Sequence, residues 1–430
     1  MRNDRAAAEV GLEGLSEQAW LDHFARFLPL PENLPSPLAL RYHGHQFRQY
    51  NPDLGDGRGF LFAQLRDRSG RLLDLGTKGS GTTPWSRGGD GRLTLKGAVR
   101  EVLAAELLEA RGVPTCRIFS VVETGEDLVR YDEPSPTRSA VMVRLSHSHV
   151  RIGSFQRLAT LNLPEQMDAL LAFCARHLLP DLGSDELPLR FLQRVMDRLA
   201  DCAAAWMVAG YVHGVLNTDN LNVTGESFDY GPYRWLPFAD ATYTAAYFDG
   251  TRLYAYGRQS GQVLWSLRRL ARALGLLGDR QRLEAALQDY PRLYRQHLRR
   301  RFLERLGVGE GQPGDDAELL AAFTSFSAVT AAGWAQTFHD WRGGLSAAQR
   351  AAQSPQAELY RHAAWRPVQA LFEGRSVAAD LDHERLQQPF AETLGYEEIE
   401  AIWAAISERD DWGPLQAKVA AIRAMGAALS

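Results

Sequence analysis

The chain has 430 residues, 45% of them hydrophobic and 23% charged, with a formal net charge of −4. That is ordinary globular composition at a length able to bury a sizeable core, and its mild acidity excludes the basic balance expected of a nucleic-acid or membrane-surface binder. Three cysteines (Cys116, Cys174 and Cys202) make no disulfide framework. No apolar run approaches the roughly 20 residues of a membrane span, and no apolar stretch follows Met1-Arg2-Asn3-Asp4-Arg5 as a signal peptide would require. A soluble cytoplasmic protein is expected, as a monomer, with neither nucleic acid nor membrane as partner.

In chain order, residues 16–30 carry amphipathic helical spacing (Trp20, Phe24, Phe27, Leu28), ended by a Pro-rich stretch over 29–37. An aromatic and Gly-rich segment follows at 42–60. Residues 59–66 and 71–77 alternate as strands, and Asp67-Arg68-Ser69-Gly70 between them predicts a hairpin. Residues 93–111 repeat apolar side chains at helical spacing, with Gly112 and Pro114 as the stop. Strands are predicted over 113–122 and 139–145. The clearest helix runs over 189–209, with Phe191, Leu192, Val195, Leu199, Cys202 and Trp206 on one stripe and Gly210 as its cap. A short β-like pair brackets 217–230, with a further β-like run at 221–224. Residues 261–305 and 318–430 read as helical, separated by a linker at 307–316. Strands segregated from helices imply an α+β chain in two lobes: a β-rich N-terminal lobe, a helical C-terminal lobe and an added helical C-terminal region.

Several residues have chemistry to offer. In Leu54-Gly55-Asp56-Gly57-Arg58-Gly59, alternate glycines let backbone amides approach an anion and Arg58 adds charge, although such a run also simply opens hairpins. Lys78, leaving a strand beside Gly79 and Gly81, suits a phosphate contact or a solvated strand end. Glu101, 23 positions on in the 93–111 helix, favours the first reading, because a strand lysine held by a helix glutamate is how kinase-like sites place nucleotide phosphates. Asp219 and Asn220, with Asp229 ten residues later, fit one carboxylate receiving a hydroxyl proton while an amide and a second carboxylate hold Mg²⁺. Polar turn residues are the bland alternative. Arg144 and Arg151 bracket Ser146-His147-Ser148-His149 and suit triphosphate oxygens. The alternating histidines His43, His45, His147 and His149 lack a third ligand at a sensible spacing and receive no metal role.

The blocks Gly44-His45-Gln46-Phe47, Leu54 to Gly59, Lys78-Gly79-Ser80-Gly81-Thr82-Thr83-Pro84, Asp90-Gly91-Arg92 and Arg100-Glu101 resemble the SelO (YdiU) family. So do Ser148-His149-Val150-Arg151, His213-Gly214-Val215-Leu216-Asn217-Thr218-Asp219-Asn220 and Asp229-Tyr230-Gly231-Pro232. The resemblance spans 42–232 and fades beyond. It implies a kinase-like fold divided at 1–140, 141–306 and 307–430, binding ATP with Mg²⁺ (or Mn²⁺) and transferring AMP to Ser, Thr or Tyr hydroxyls of proteins. It assigns Asp219 as proton acceptor, Asn220 and Asp229 as metal ligands, and Lys78 with Glu101 to the phosphates. Gly55, Gly57, Arg58, Asp90, Gly91, Arg144, Arg151 and Asp229 complete the nucleotide site. Two alternatives stay open at this point: phosphate transfer by the same residues, and a nucleotide-binding pseudokinase scaffold without turnover. Arg48, Trp85 and Lys96 stand where the family usually has Gly, Tyr and Arg. No cysteine follows Cys202, so regulation through the redox-active C-terminal residue of many members is not expected.

Overall fold

A computed structural model describes residues 1–131, 133–183 and 185–429; Ser430, the end of the expected C-terminal region, lies outside them. The chain opens with two short helices, α1 (Asp4–Glu9) and α2 (Glu17–Phe24). Helix α2 stops well short of residue 30, because Phe27 turns into the left-handed region (φ +57°). A small hairpin of β1 (Gly44–Gln46) and β2 (Gln49–Asn51) comes next.

The main sheet contains β3 (Leu61–Arg66), β4 (Leu72–Lys78), β5 (Leu93–Thr94), β6 (Arg117–Leu128) and β7 (Thr137–Ser146). The order is β3-β4-β7-β5, with β6 also pairing β7, and all neighbours are antiparallel. The turn at 67–70 joins β3 and β4 as expected, with the Asp67 carboxylate accepting from the Ser69 and Arg71 amides. Strand β6 starts at Arg117, later than residue 113, and β7 spans the expected 140/141 division. Helix α3 (Leu95–Ala110) packs its apolar face (Val99, Val102, Leu103) into the same core as Ile118 and Met142 of the sheet. The Thr94 hydroxyl caps its first turn.

The helical part begins with α4 (Ile152–Thr160), α5 (Pro164–Phe173) and the long α6 (Leu187–Ala209). Every residue of the predicted stripe on α6 is buried. After α6, β8 (Tyr211–Val212) and β9 (Arg234–Trp235) pair, closing a loop that holds residues 213–233. The run 221–224 is not a strand: Asn222 makes a single bridge to Arg151, and its side chain turns the chain by accepting from Thr224. Helices α7 (Gln259–Leu274), α8 (Arg280–Ala286) and α9 (Tyr290–Leu306) pack around α6. The expected linker is shorter than 307–316, since α10 (Pro313–Thr330) begins with proline in its first turn. Helices α11 (Trp334–Asp340), α12 (Ala348–Ala352) and α13 (Arg366–Phe372) build an aromatic core with α9 and α10, and α14 (Tyr396–Arg409) and α15 (Gly413–Leu429) return to cover α3. Among the described residues, no helix is long and apolar enough to cross a membrane.

Gly210, which ends α6, adopts φ +72°, and an added Cβ would lie 2.5 Å from the Trp334 ring. Gly210→Ala combines left-handed strain with that clash. It should lower unfolding free energy by about 2 kcal/mol or more, read as a lower urea midpoint; an unchanged midpoint would contradict this account of the cap.

Candidate active site

The site is assembled from five stretches that only the fold brings together. Lys78 leaves the end of β4, paired with Met142 of β7. Arg144 sits near the end of β7, opposite Gly76 on one side and Ile118 on the other. Arg151 is the residue just before α4, Glu101 lies on α3, and Asp219 and Asp229 lie on the loop closed by β8 and β9.

A cleft of about 730 Å³ lies between them. Its lining contains Gly55, Gly57, Arg58, Lys78, Asp90, Gly91, Arg144, Arg151, Asp219, Asn220 and Asp229. Glu101 stands behind the wall and reaches the cleft through its ion pair with Lys78. Seven cationic side chains (Arg58, Lys78, Arg87, Arg92, Arg130, Arg144, Arg151) line it against four carboxylates (Asp56, Asp90, Asp219, Asp229). The acidic chain thus carries a local basic cleft suited to a polyanion.

Asp229 is its electrostatic centre. Burial opposes ionisation of its carboxyl, but Arg144, Arg151 and Lys78 more than offset that and hold it well below the usual carboxylate range. Arg144 donates to Oδ1, Arg151 Nη1 lies 3.3 Å from Oδ2 and Lys78 Nζ 4.0 Å from Oδ1. Its backbone is left-handed (φ +60°), a conformation that aspartate tolerates better than most residues. Burial pulls the pKa of Lys78 down, opposed mainly by Glu101.

Asp219 shows the opposite behaviour. Burial pushes its carboxyl up to about 6, against its own backbone amide and Arg151. Gln46 Nε2 lies 3.4 Å from its Oδ2, while Oδ1 is buried and makes no hydrogen bond within the protein. The Asn217 carbonyl accepts from the Asn220 amide, closing the short turn of Thr218–Asn220. The Asn220 side-chain nitrogen is taken by the Val215 carbonyl at 2.9 Å, so its amide oxygen is the atom with lone pairs to offer. An orphaned carboxylate oxygen on Asp219, an amide oxygen on Asn220 and an ionised Asp229 form a hard-oxygen donor set, which fits Mg²⁺ or Mn²⁺. Among the described residues no group of three His, Cys, Asp or Glu side chains suits a metal, so the amide and the nucleotide phosphates would have to supply part of any coordination.

Arg151 is a hub. It donates to Tyr42 Oη (2.8 Å), to the Asp219 carbonyl (3.3 Å) and to Asp56 Oδ1 (3.2 Å), with its guanidinium 4.3 Å from the Tyr42 ring centroid. Tyr42 and Asp56 received no role from sequence; only their places in the aromatic and glycine-rich blocks marked them. Asp90 turns out to serve Arg130, which grips it through two nitrogens at 2.8 and 3.1 Å. Trp85 covers Gly55, where an added Cβ would lie 2.5 Å from the indole, so this glycine is required by close approach. Three of the histidines have partners of their own: His43 with Tyr50, His45 with Gln156, and His149, which lines the cleft, with Asp74. The three cysteines are buried, and burial raises the thiol pKa of each.

The sequence profile of the family described as "Protein adenylyltransferase SelO" matches residues 1–423. The chain belongs to the SelO family. It is 41% identical over 436 residues to the protein nucleotidyltransferase YdiU of Gloeobacter violaceus, covering 98% of this chain and 89% of that protein. The YdiU of Synechocystis sp. is also 41% identical, over 434 residues (96% and 90%), and that of Aliivibrio fischeri MJ11 is 36% identical over 330 (72% and 67%). The match thus runs far past Pro232, where the motifs thin out, and takes in the C-terminal helices. As a SelO protein the chain is an enzyme, a nucleotidyltransferase that acts on proteins.

The Arg144–Asp229 pair gives a direct test of this geometry. Arg144→Met, which removes one partner of a buried pair, should destabilise by about 3–5 kcal/mol. Combined with Asp229→Asn it should cost less than the two single changes summed, by roughly 2 kcal/mol of coupling in denaturant unfolding; strict additivity would mean that the two charges do not depend on each other.

Proposed function

We propose that this SelO protein transfers AMP from ATP to Ser, Thr or Tyr hydroxyls of other proteins, in a Mg²⁺-dependent reaction that releases pyrophosphate. In this reading the chain is a kinase-like two-lobed enzyme. Residues 1–140 form the nucleotide-gripping lobe, 141–306 the lobe with the catalytic loop, and 307–430 a helical extension. The observation that carries the reading is the convergence of Lys78, Arg144 and Arg151 on Asp229, beside a buried Asp219 with an unshared oxygen, at one basic cleft.

The glycine-rich run with Arg58, together with Gly91, cradles the triphosphate, and Lys78, held by Glu101, neutralises its charge. Asn220 and Asp229 would hold Mg²⁺ or Mn²⁺, which supplies further neutralisation of phosphate charge when bound. Asp219 orients the target hydroxyl. As its oxygen bonds to the α-phosphorus, the bond from that phosphorus to the bridging oxygen breaks, the hydroxyl proton passes to Asp219 and pyrophosphate leaves. A carboxyl of raised basicity suits proton acceptance better than the strongly neutralised Asp229 does. Support for AMP rather than phosphate transfer comes from family membership, since the same residues could serve either.

Intact mass after incubation with ATP, Mg²⁺ and a protein acceptor discriminates the readings: an added AMP is expected, whereas an added phosphate or no change rejects the proposal. Asp219→Ala should cut transfer about 10²- to 10⁴-fold while calorimetry still shows nucleotide binding with Mg²⁺. Lys78→Ala should weaken nucleotide use severely in an intact fold, and Glu101→Ala should do so more mildly. Asp229→Ala should lose metal-dependent binding as well as transfer, and EDTA should abolish wild-type activity. Full labelling by Asp219→Ala would place the base elsewhere.

A further inference from the structure

A second set of groups surrounds the turn that bears Asp219, and the nucleotide cleft does not use them. The β1–β2 hairpin is bonded to this turn along its length: His45 N to Thr218 Oγ1 (2.7 Å), Gln46 Nε2 to Asp219 Oδ2 (3.4 Å), and Phe47 N to both Asn217 Oδ1 and Tyr254 Oη (3.1 Å each). Its two loop residues, Phe47 and Arg48, are both left-handed, at φ +49° and +64°. Asn-Gly is the usual occupant of such a two-residue turn, so an aromatic residue and an arginine there are strained. Arg48 is held down by Gln262 and lies 5.5 Å over the Trp265 ring, which keeps the turn in place.

What the strained turn achieves is display of an aromatic ring. Phe47 is 37% exposed, packs 5.9 Å from Phe248, and Phe248 in turn sits 5.1 Å from Tyr247. Phe248 is 51% and Tyr247 89% exposed, so three contiguous rings face solvent. The loop presenting the last two is braced: the buried Asp249 carboxylate accepts from the amides of Leu253 (2.9 Å) and Tyr254 (2.8 Å). Tyr254 Oη also bonds Asn217 Oδ1, so the aromatic shelf and the Asp219 turn are fixed to each other. None of the three rings lines the nucleotide cleft. An acceptor protein must bring its hydroxyl to Asp219, and the shelf is the surface joined to that residue from outside the cleft.

We infer that Phe47, Tyr247 and Phe248 form the acceptor seat, on which a protein substrate places an apolar side chain flanking its target hydroxyl. The enzyme thereby selects hydroxyls next to aromatic or branched aliphatic residues. Rigid, exposed aromatic rings are the groups that anchor protein interfaces at low entropic cost. This inference rests on the transferase reading above.

The test uses the full chain with ATP and Mg²⁺ on a peptide library made by digesting a whole proteome, with AMP-bearing sites mapped by mass spectrometry. Wild type should enrich sites flanked by Phe, Tyr, Leu, Ile or Val several-fold over their abundance in the library. The double variant Tyr247→Ala/Phe248→Ala should lose that enrichment and label apolar-flanked sites about 10-fold less efficiently, while nucleotide binding by calorimetry and labelling of other sites stay unchanged. No enrichment in wild type, or enrichment kept by the double variant, overturns the acceptor seat alone. A wild type that binds nucleotide yet adds AMP to no peptide overturns the proposed transfer reaction and the seat with it.

Discussion

Everything at this cleft depends on keeping one buried carboxylate ionised. Removing a carboxylate from water costs several kcal/mol even after relaxation, and Asp229 recovers it only because cations arrive from three directions: Lys78 from the end of β4, Arg144 from near the end of β7, and Arg151 from the start of α4. Arg144 and Arg151 are themselves buried, and the carboxylate in turn supports their charge, while Lys78 is held chiefly by Glu101. The loop after α6 is thereby tied to the sheet, and the cleft between them acquires a fixed shape without a disulfide. Arg151 extends the tie to Asp56 in the glycine-rich run, so that run and the loop bearing Asp219 share one arginine.

The two carboxylates in the cleft behave oppositely, and their surroundings explain why. Asp229 has three cations around it and stays ionised; Asp219 is the more buried of the two but is met mainly by Gln46 and backbone, so burial governs and its carboxyl rises to about 6. Environments that push two acids apart in this way assign them different work. The proposed division of work, charge and ligation at Asp229 and the proton at Asp219, rests on this contrast.

Much of this was legible in the sequence because the signals were local. The stripe on α6, its glycine stop, the 67–70 turn and the lysine leaving a strand are all decided by neighbours a few residues away, and each stands where expected. The family motifs likewise collected most of the cleft lining. What escaped depends on distant partners. Asp56 and Tyr42 gain their roles only when Arg151 reaches them, 95 and 109 residues away in sequence. The partner that holds Asp90 at the cleft, Arg130, lies 40 residues on and was equally invisible. The run 221–224 alternates as a strand would, yet its pairing with 150–152 stops at the single Asn222–Arg151 bridge, because Asn222 turns the chain by accepting from Thr224. Periodicity reports a preference for a face; a strand also needs a neighbour.

The C-terminal helices show the same dependence on distance, and it bears on the site. Glu101 can hold Lys78 only if α3 stays pressed against the sheet. The outer side of α3 is covered by α15, where Arg423 grips the buried Glu106 through two nitrogens at 2.5 and 2.8 Å, and Arg5 approaches the same carboxylate. Near the start of α3, Lys96 reaches Glu400 of α14 at 2.7 Å, and Arg138 of β7 reaches Asp410 just beyond α14 at 2.8 Å. Lys96 differs from the arginine usual in the family but still makes an ion pair with the C-terminal region. A helix anchored at both ends by residues some 300 positions away has little freedom to swing, so the glutamate it carries meets its lysine already in place. The region beyond residue 307, silent in motifs, therefore contributes to the cleft by fixing α3, which carries Glu101 behind its wall.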